Sequence, residues 1–316
     1  MENNPKTYYR YRAFSSNTLD ALCRDTLYFS NPGAFNDPLD CKPTLECDSS
    51  NEDLRTLLAL LIQRRVEGEV LNNLEQARMK GEFANHYAMT HSQSEALRGL
   101  QDIAYHATNP DYEGKVSDAE SWLLVIEIER ELQKHYERGV CCFSKSYSNP
   151  LLWSHYGDQH QGLCIGYGIE RNPIPQLNKV VYGGNRSINT SAIIKAFVDK
   201  NEQAQVELDR DVLLRKAKGW KYEDEWRLIG KQGNQDFPLL LKEVTFGMRC
   251  SRSIVHAVVN ALEGRSNNIN YFEMYTVRGS FTLKRRPLDI CELSAFLPRT
   301  AMSGIEMFGE VSNDNN

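Results

Sequence analysis

Glu223 and Glu225 are the residues of this chain whose type and spacing could do chemistry together. They lie in Trp220-Lys221-Tyr222-Glu223-Asp224-Glu225-Trp226-Arg227-Leu228-Ile229, a run that reads as a β-strand. Side chains alternate along a strand, so Glu223, Glu225 and Arg227 would share one face and Tyr222 and Trp226 the other. Two carboxylates held side by side can do acid/base work or stabilise a developing cation. The same alternation fits a polar face of a half-exposed strand, paired with Lys221 and Arg227. Spacing alone does not choose between them.

Other residues carry similar pairs of meanings. Arg10 and Arg12 fall on one face of Tyr8-Tyr9-Arg10-Tyr11-Arg12, with tyrosines on the other. Two guanidinium groups there could grip a diphosphate bidentately, or simply charge an edge strand. Phe35-Asn36-Asp37-Pro38-Leu39-Asp40 combines polar turn formers with proline, giving a structural turn or a rigid loop that lines a pocket with Asn36 and Asp37. Ser144 and Ser146 end an apolar strand, where they could cap the following helix. Trp153, His155 and Tyr156 offer an aromatic wall and a polar ring for a heteroaromatic ligand, or core packing. No Gly-x-Ser-x-Gly elbow supports a serine triad. The histidines have no recurring spacing and the eight cysteines no CxxC, so no metal is expected and a nuclease is disfavoured.

The elements that must position these residues change character along the chain. Residues 1–50 read as strand, helix and strand, with Ser16 or Asn17 capping the helix, followed by the stiff turn. Residues 51–137 are rich in Leu, Ala, Glu and Arg, and Ser117-x-x-Glu120 forms a capping box, which predicts an insertion of three to five helices. Strands return over 138–300: Val140–Ser144, 162–167, 179–182, the glutamate strand, 244–246, 271–275 and 281–283. Helices are expected from Asn149-Pro150, over 189–217 and over 252–263. Residues 301–316 are a tail with a disordered Asp314-Asn315-Asn316 end. The fold class is therefore α+β with a large helical insertion.

Composition bounds the function. At 316 residues the chain can bury a good core, and 41% hydrophobic with 25% charged residues is ordinary for a soluble protein. A net charge of −5 argues against a general nucleic-acid coater. Basic residues do gather at Arg210, Arg215, Lys216, Lys218 and Lys221 and at Lys284-Arg285-Arg286, as solvated faces or a local basic cleft. No apolar run approaches the roughly 20 residues needed to span a bilayer, and the Met-Glu-Asn-Asn-Pro-Lys start lacks a secretory signal. A cytoplasmic protein with no membrane partner is expected, its adjacent Cys141 and Cys142 buried as thiols.

Taken in order, Tyr9-Arg10-Tyr11-Arg12, Leu27-Tyr28-Phe29-Ser30 with Phe35-Asn36-Asp37-Pro38, Cys142-Phe143-Ser144 with Leu152-Trp153-Ser154-His155-Tyr156 and Gly162, and Trp220-x-Tyr222-Glu223-x-Glu225-Trp226-Arg227 resemble a widespread bacterial family of formerly unknown function. That pattern in turn resembles the ADP-ribosyltransferase fold, including toxins that modify nucleic acid. The resemblance implies a split β-sheet core. It sets Arg10 at the first motif, Ser144 and Ser146 at the second, and Glu225 at the third. NAD would be the co-substrate. Glu225 would stabilise the oxocarbenium-like cation as nicotinamide leaves, and Glu223 would orient or deprotonate the acceptor. Arg10 and Arg12 would hold the diphosphate, and Tyr156 or Trp153 would stack on nicotinamide.

The expected function is thus an NAD-dependent ADP-ribosyltransferase, acting as a toxin or anti-phage defence effector on RNA, another nucleic acid or protein. An antitoxin and a chaperone are the implied partners. The alternatives are an NAD glycohydrolase, which needs no acceptor, and a non-catalytic binding module.

Overall fold

The computed structural model describes residues 7–135, 138–236 and 239–308. The N-terminal Met1–Lys6, the last two residues of the expected insertion and the Asp314-Asn315-Asn316 end lie outside them. The protein is mixed α+β and divides into two compact units that interleave in sequence. One comprises Met1–Thr26, Ser144–Ile174 and Phe237–Asn316, the other Leu27–Phe143 and Pro175–Asp236. The helical stretch therefore shares its unit with strands from both sides of it. No helix among the described residues is long and apolar enough to cross a membrane.

In the first unit, strands lie in the order Leu283–Pro287, Asn270–Thr276, Leu240–Phe246, Leu163–Gly168, Thr7–Arg12. Neighbours are antiparallel except Leu240–Phe246 and Asn270–Thr276, which are parallel. Leu163–Gly168 is buried along its whole length, which explains an apolar run without alternation. At its start, a Cβ on Gly162 would sit 2.3 Å from the Arg12 carbonyl oxygen, so the close approach needs glycine. Tyr9 and Tyr11 are buried on one face of Thr7–Arg12, but Tyr8 shares the arginine face and is buried too. The first helix, Ser16–Arg24, is capped by Ser15 rather than Ser16 or Asn17: its hydroxyl accepts the Thr18 N–H at 3.1 Å. The last strand begins at Leu283, and Phe281 is fully exposed.

In the basic run within this strand, Lys284 and Arg286 are exposed as a solvated face would be, and Arg285 is half-buried. Arg285 makes a fork with Glu243 and lies 4.0 Å from the ring centroids of both Tyr147 and Phe272, while Arg286 pairs with Glu273 at 2.7 Å.

The second unit is organised on the helix Asn51–Gln76. Leu54, Leu57, Leu58, Leu61 and Ile62 recur at helical spacing and bury one face against Leu124 and Ile128 of the helix Val116–His135. Ser50 caps it through the Asp53 N–H, with Glu52 and Asp53 complementing its positive N-terminal end. Helix Glu82–His106 completes the helical stretch. Ser117-x-x-Glu120 is not a capping box, because both residues are already inside the helix Val116–His135 and Glu120 instead takes a bidentate grip from Arg55. Strands Arg138–Ser144, Glu225–Lys231 and Asn178–Lys179 lie side by side. The expected strand over 179–182 breaks in two at Val180, and the expected helix over 189–217 is two helices, Thr190–Phe197 and Glu202–Leu213. None of the cysteines forms a disulfide; Cys141 is buried and Cys142 half-buried.

Candidate active site

The glutamate pair does not share a strand. Lys218–Glu223 winds as a 3-10 helix, Asp224 turns left-handed at φ 41° and ψ 56°, and the strand begins at Glu225. Only Glu225 and Arg227, two residues apart, keep the expected common face. What brings Glu223 to Glu225 is Lys216. Its ammonium donates to Glu223 Oε2 at 2.6 Å and to Glu225 Oε2 at 2.9 Å, with Asp40 Oδ2 at 3.5 Å. Lys216 sits on the short strand Arg215–Lys216, which runs parallel to Val181–Tyr182. The Tyr182 hydroxyl in turn accepts the Glu225 backbone N–H at 2.7 Å.

Arg227 closes the cluster from beneath and is 0% exposed. Its Nε and Nη2 grip the two Glu225 oxygens at 2.7 and 3.1 Å, and Nη2 also reaches Asp40 Oδ2 at 2.7 Å. Nη1 donates to the Leu213 carbonyl at 2.7 Å and to Cys41 Sγ at 3.0 Å. Every one of its N–H donors is thereby satisfied, as a buried guanidinium requires. The cluster holds three carboxylates, Asp40, Glu223 and Glu225, against two cations, Lys216 and Arg227. Formally it carries one carboxylate in excess.

The electrostatics follow. Burial alone would raise the Glu225 carboxyl, but Arg227 and then Lys216 outweigh it and hold it down at about 2. Burial works against the Lys216 ammonium, and the Glu225 and Glu223 carboxylates keep it above its ordinary range. Burial pushes the Cys41 thiol up to about 12; burial and the Glu225 charge raise the Cys142 thiol well above its ordinary range, so both stay protonated beside the cluster. Because the Glu225 carboxyl is depressed on folding, it adds stability above its unfolded value of about 4.5. That stability is lost as pH falls towards 2. Denaturant midpoints measured across pH 2–7 are expected to hold level above about 5 and to fall steeply below 4.5, a fall that Glu225→Gln reduces.

Aromatic groups border the cluster. Lys216 Nζ lies 5.2 Å from the Trp220 ring centroid, Trp220 and Tyr222 are 5.9 Å apart, and the Trp220 indole donates to Asp37 Oδ2 at 2.6 Å. Asp37 is also the turn former expected of it, accepting the Leu39 N–H at 2.9 Å. Asn36 beside it is exposed. Of the residues singled out in the sequence, then, Glu223, Glu225 and Asp37 are joined through Lys216 and Trp220.

Arg10, Arg12, Ser144, Ser146, Trp153, His155 and Tyr156 belong to the first unit. Arg10 and Arg12 are half-buried on Thr7–Arg12, opposite Ile165 and Leu163. Ser144 and Ser146 are turn formers: Ser144 Oγ accepts the Ser146 N–H, Ser146 Oγ accepts the Ser148 N–H, and the Tyr11 hydroxyl donates to the Ser146 carbonyl. Trp153 cannot stack on nicotinamide. It is 0% exposed, edge-on to Tyr11, stacked on His160, and its indole donates to the Tyr147 carbonyl at 2.9 Å. His155 is exposed and Tyr156 half-buried at the end of the six-residue helix Pro150–His155.

Sequence reasoning missed Asp40 and Lys216. Lys216 read as part of a solvated basic face, whereas its side chain is 6% exposed. The available signal was the aspartate closing Asn36-Asp37-Pro38-Leu39-Asp40, an acidic residue beyond those the turn needs. Among the described residues, no group of three or more His, Cys, Asp or Glu side chains is arranged to hold a metal ion. No curated protein matches the chain. No solved structure matches it either. Residues 152–228, which run from the Trp153 helix through Arg227 of the charge cluster, match a family model described as a protein of unknown function (DUF2971).

Proposed function

We propose that this protein is an NAD-dependent ADP-ribosyltransferase, a toxin or anti-phage effector that transfers ADP-ribose to RNA, another nucleic acid or a protein. The observation that carries the reading is the excess carboxylate of the Asp40–Lys216–Glu223–Glu225–Arg227 cluster, held ionised under an aromatic border. Breaking the nicotinamide–ribose bond creates an oxocarbenium-like cation, and a fixed anion in a water-poor site stabilises that charge more than the neutral ground state. Glu225 would supply the anion. Glu223, tied to it through Lys216, would orient or deprotonate the acceptor, and Trp220 offers a ring for the nicotinamide or adenine. The ADP-ribosyltransferase-like core remains part of the proposal.

A second reading, a non-catalytic binding module, is favoured by the fork from Arg227, which engages both Glu225 oxygens as a structural ion pair would. The assay that decides uses purified protein, NAD labelled in its adenylate part, and cell lysate. Nicotinamide release is measured by chromatography, and retained label is followed through nuclease or protease digestion. Release together with nuclease-sensitive label is the expected result. Release without transfer indicates an NAD glycohydrolase, and absence of both removes the enzyme reading.

A further inference from the structure

A cavity in the same unit as the charge cluster is lined in part by Cys41. It has a volume of about 330 Å³, at the small end of the range of ligand pockets. Its walls come from the Asn31–Gly33 turn, the segment Cys41–Leu45, the last turns of the helix Val116–His135, and Val212. Leu45, Leu132 and Val212 are each at most 6% exposed and make an apolar floor.

The charges around it are unequal in their engagement. Glu129 is occupied, its carboxylate accepting the Leu45 N–H at 2.6 Å. At the rim, Arg130 is paired with Glu127 at 3.0 Å and Lys134 with Glu131 at 2.9 Å. Lys42 is half-buried and makes no hydrogen bond or ion pair with the described residues. A half-buried lysine that lines an apolar cavity and forms no ion pair is placed to meet the acid group of a ligand bearing a carboxylate.

We propose that this cavity is a binding site for a small amphiphilic carboxylate, its acid group on Lys42 and its apolar body against Leu45, Leu132 and Val212. Occupancy is felt by the charge cluster, because the Cys41 that lines the cavity also accepts from Arg227 at 3.0 Å and donates to Asp40 at 3.3 Å. The site is independent of whether the cluster is catalytic. Octanoate is a suitable probe, with octanamide as its uncharged counterpart, and thermal unfolding of the full chain as the readout.

Octanoate is expected to raise the melting temperature in a saturable way and octanamide to have at least tenfold weaker effect. Lys42→Gln, which breaks no ion pair, should weaken octanoate at least tenfold while leaving the unliganded melting temperature unchanged. Leu45→Trp, which fills the cavity, should remove the response to both probes. Equal protection by acid and amide, undiminished octanoate binding in Lys42→Gln, or no saturable response to octanoate would each overturn the proposal. Saturation-transfer NMR on the octanoate methylenes reads the same binding without unfolding, so a destabilised Leu45→Trp does not obscure the result.

Discussion

Replacing Arg227 by methionine is expected to cost about 3–5 kcal/mol of folding stability, the range seen when one partner of a buried ion pair is removed. The side chain is completely buried and holds Glu225, Asp40, Cys41 and the Leu213 carbonyl at once. Without it, three buried carboxylates face a single ammonium. Methionine fills much of the volume, so the loss reports charge rather than a cavity. A lysine there restores the charge but not the planar fork, and should recover only part of the midpoint in a urea titration. The double variant Arg227→Met with Glu225→Gln should be less destabilised than the two single losses summed, because it removes both ends of the strongest pair. A midpoint for Arg227→Met within error of the parent would show that the cluster contributes nothing to holding the unit together.

Much of this arrangement was legible in the sequence at the level of elements and not at the level of the cluster. Strands such as Leu163–Gly168 and the helix Asn51–Gln76 declare themselves through apolar runs and helical spacing, which are local properties. Glu225 and Arg227 were correctly put on one face because alternation over two residues is also local. Glu223 was not, since the left-handed Asp224 that ends the 3-10 turn leaves no periodic trace and Asp is tolerated there without glycine's signature. Lys216 looks like its basic neighbours. Its burial is decided by Glu223 and Glu225, seven and nine residues further on, and by Asp40, which lies far earlier in the chain. Trp153 shows the reverse error. An aromatic beside a histidine suggested a ligand wall, and the indole instead spends its one donor on the Tyr147 carbonyl inside the core. Burial of polar and aromatic groups is set by tertiary partners, and a single sequence carries only the residue types those partners require.

Glu225→Gln separates the catalytic from the structural account of the cluster, because charge counting makes the two accounts diverge. The substitution leaves two carboxylates, Asp40 and Glu223, against Lys216 and Arg227, a formally balanced set. Arg227 keeps Asp40, Lys216 keeps Glu223, and the amide oxygen can still accept from Arg227 Nε where Glu225 Oε1 does now. The folding penalty should therefore be well below that of Arg227→Met, in which the imbalance grows. The chemistry should suffer far more. Removing the anion that meets a developing cation is expected to lower nicotinamide release by about 100- to 1,000-fold, the cost of losing one preorganised electrostatic group. Such an interaction forms only as the bond breaks, so the loss should fall on kcat with KM for NAD little changed. A Glu223→Gln variant should retain nicotinamide release and lose transfer of label to the acceptor, since the role proposed for Glu223 is at the second substrate. If Glu225→Gln protein, shown folded by its urea midpoint, releases nicotinamide at the parent rate, Glu225 is an ion-pair partner alone and the cation must be met by another group. Loss of release in proportion to the unfolded fraction would point the same way. A folded variant with a collapsed kcat leaves the excess carboxylate as the group that the bond-breaking step requires.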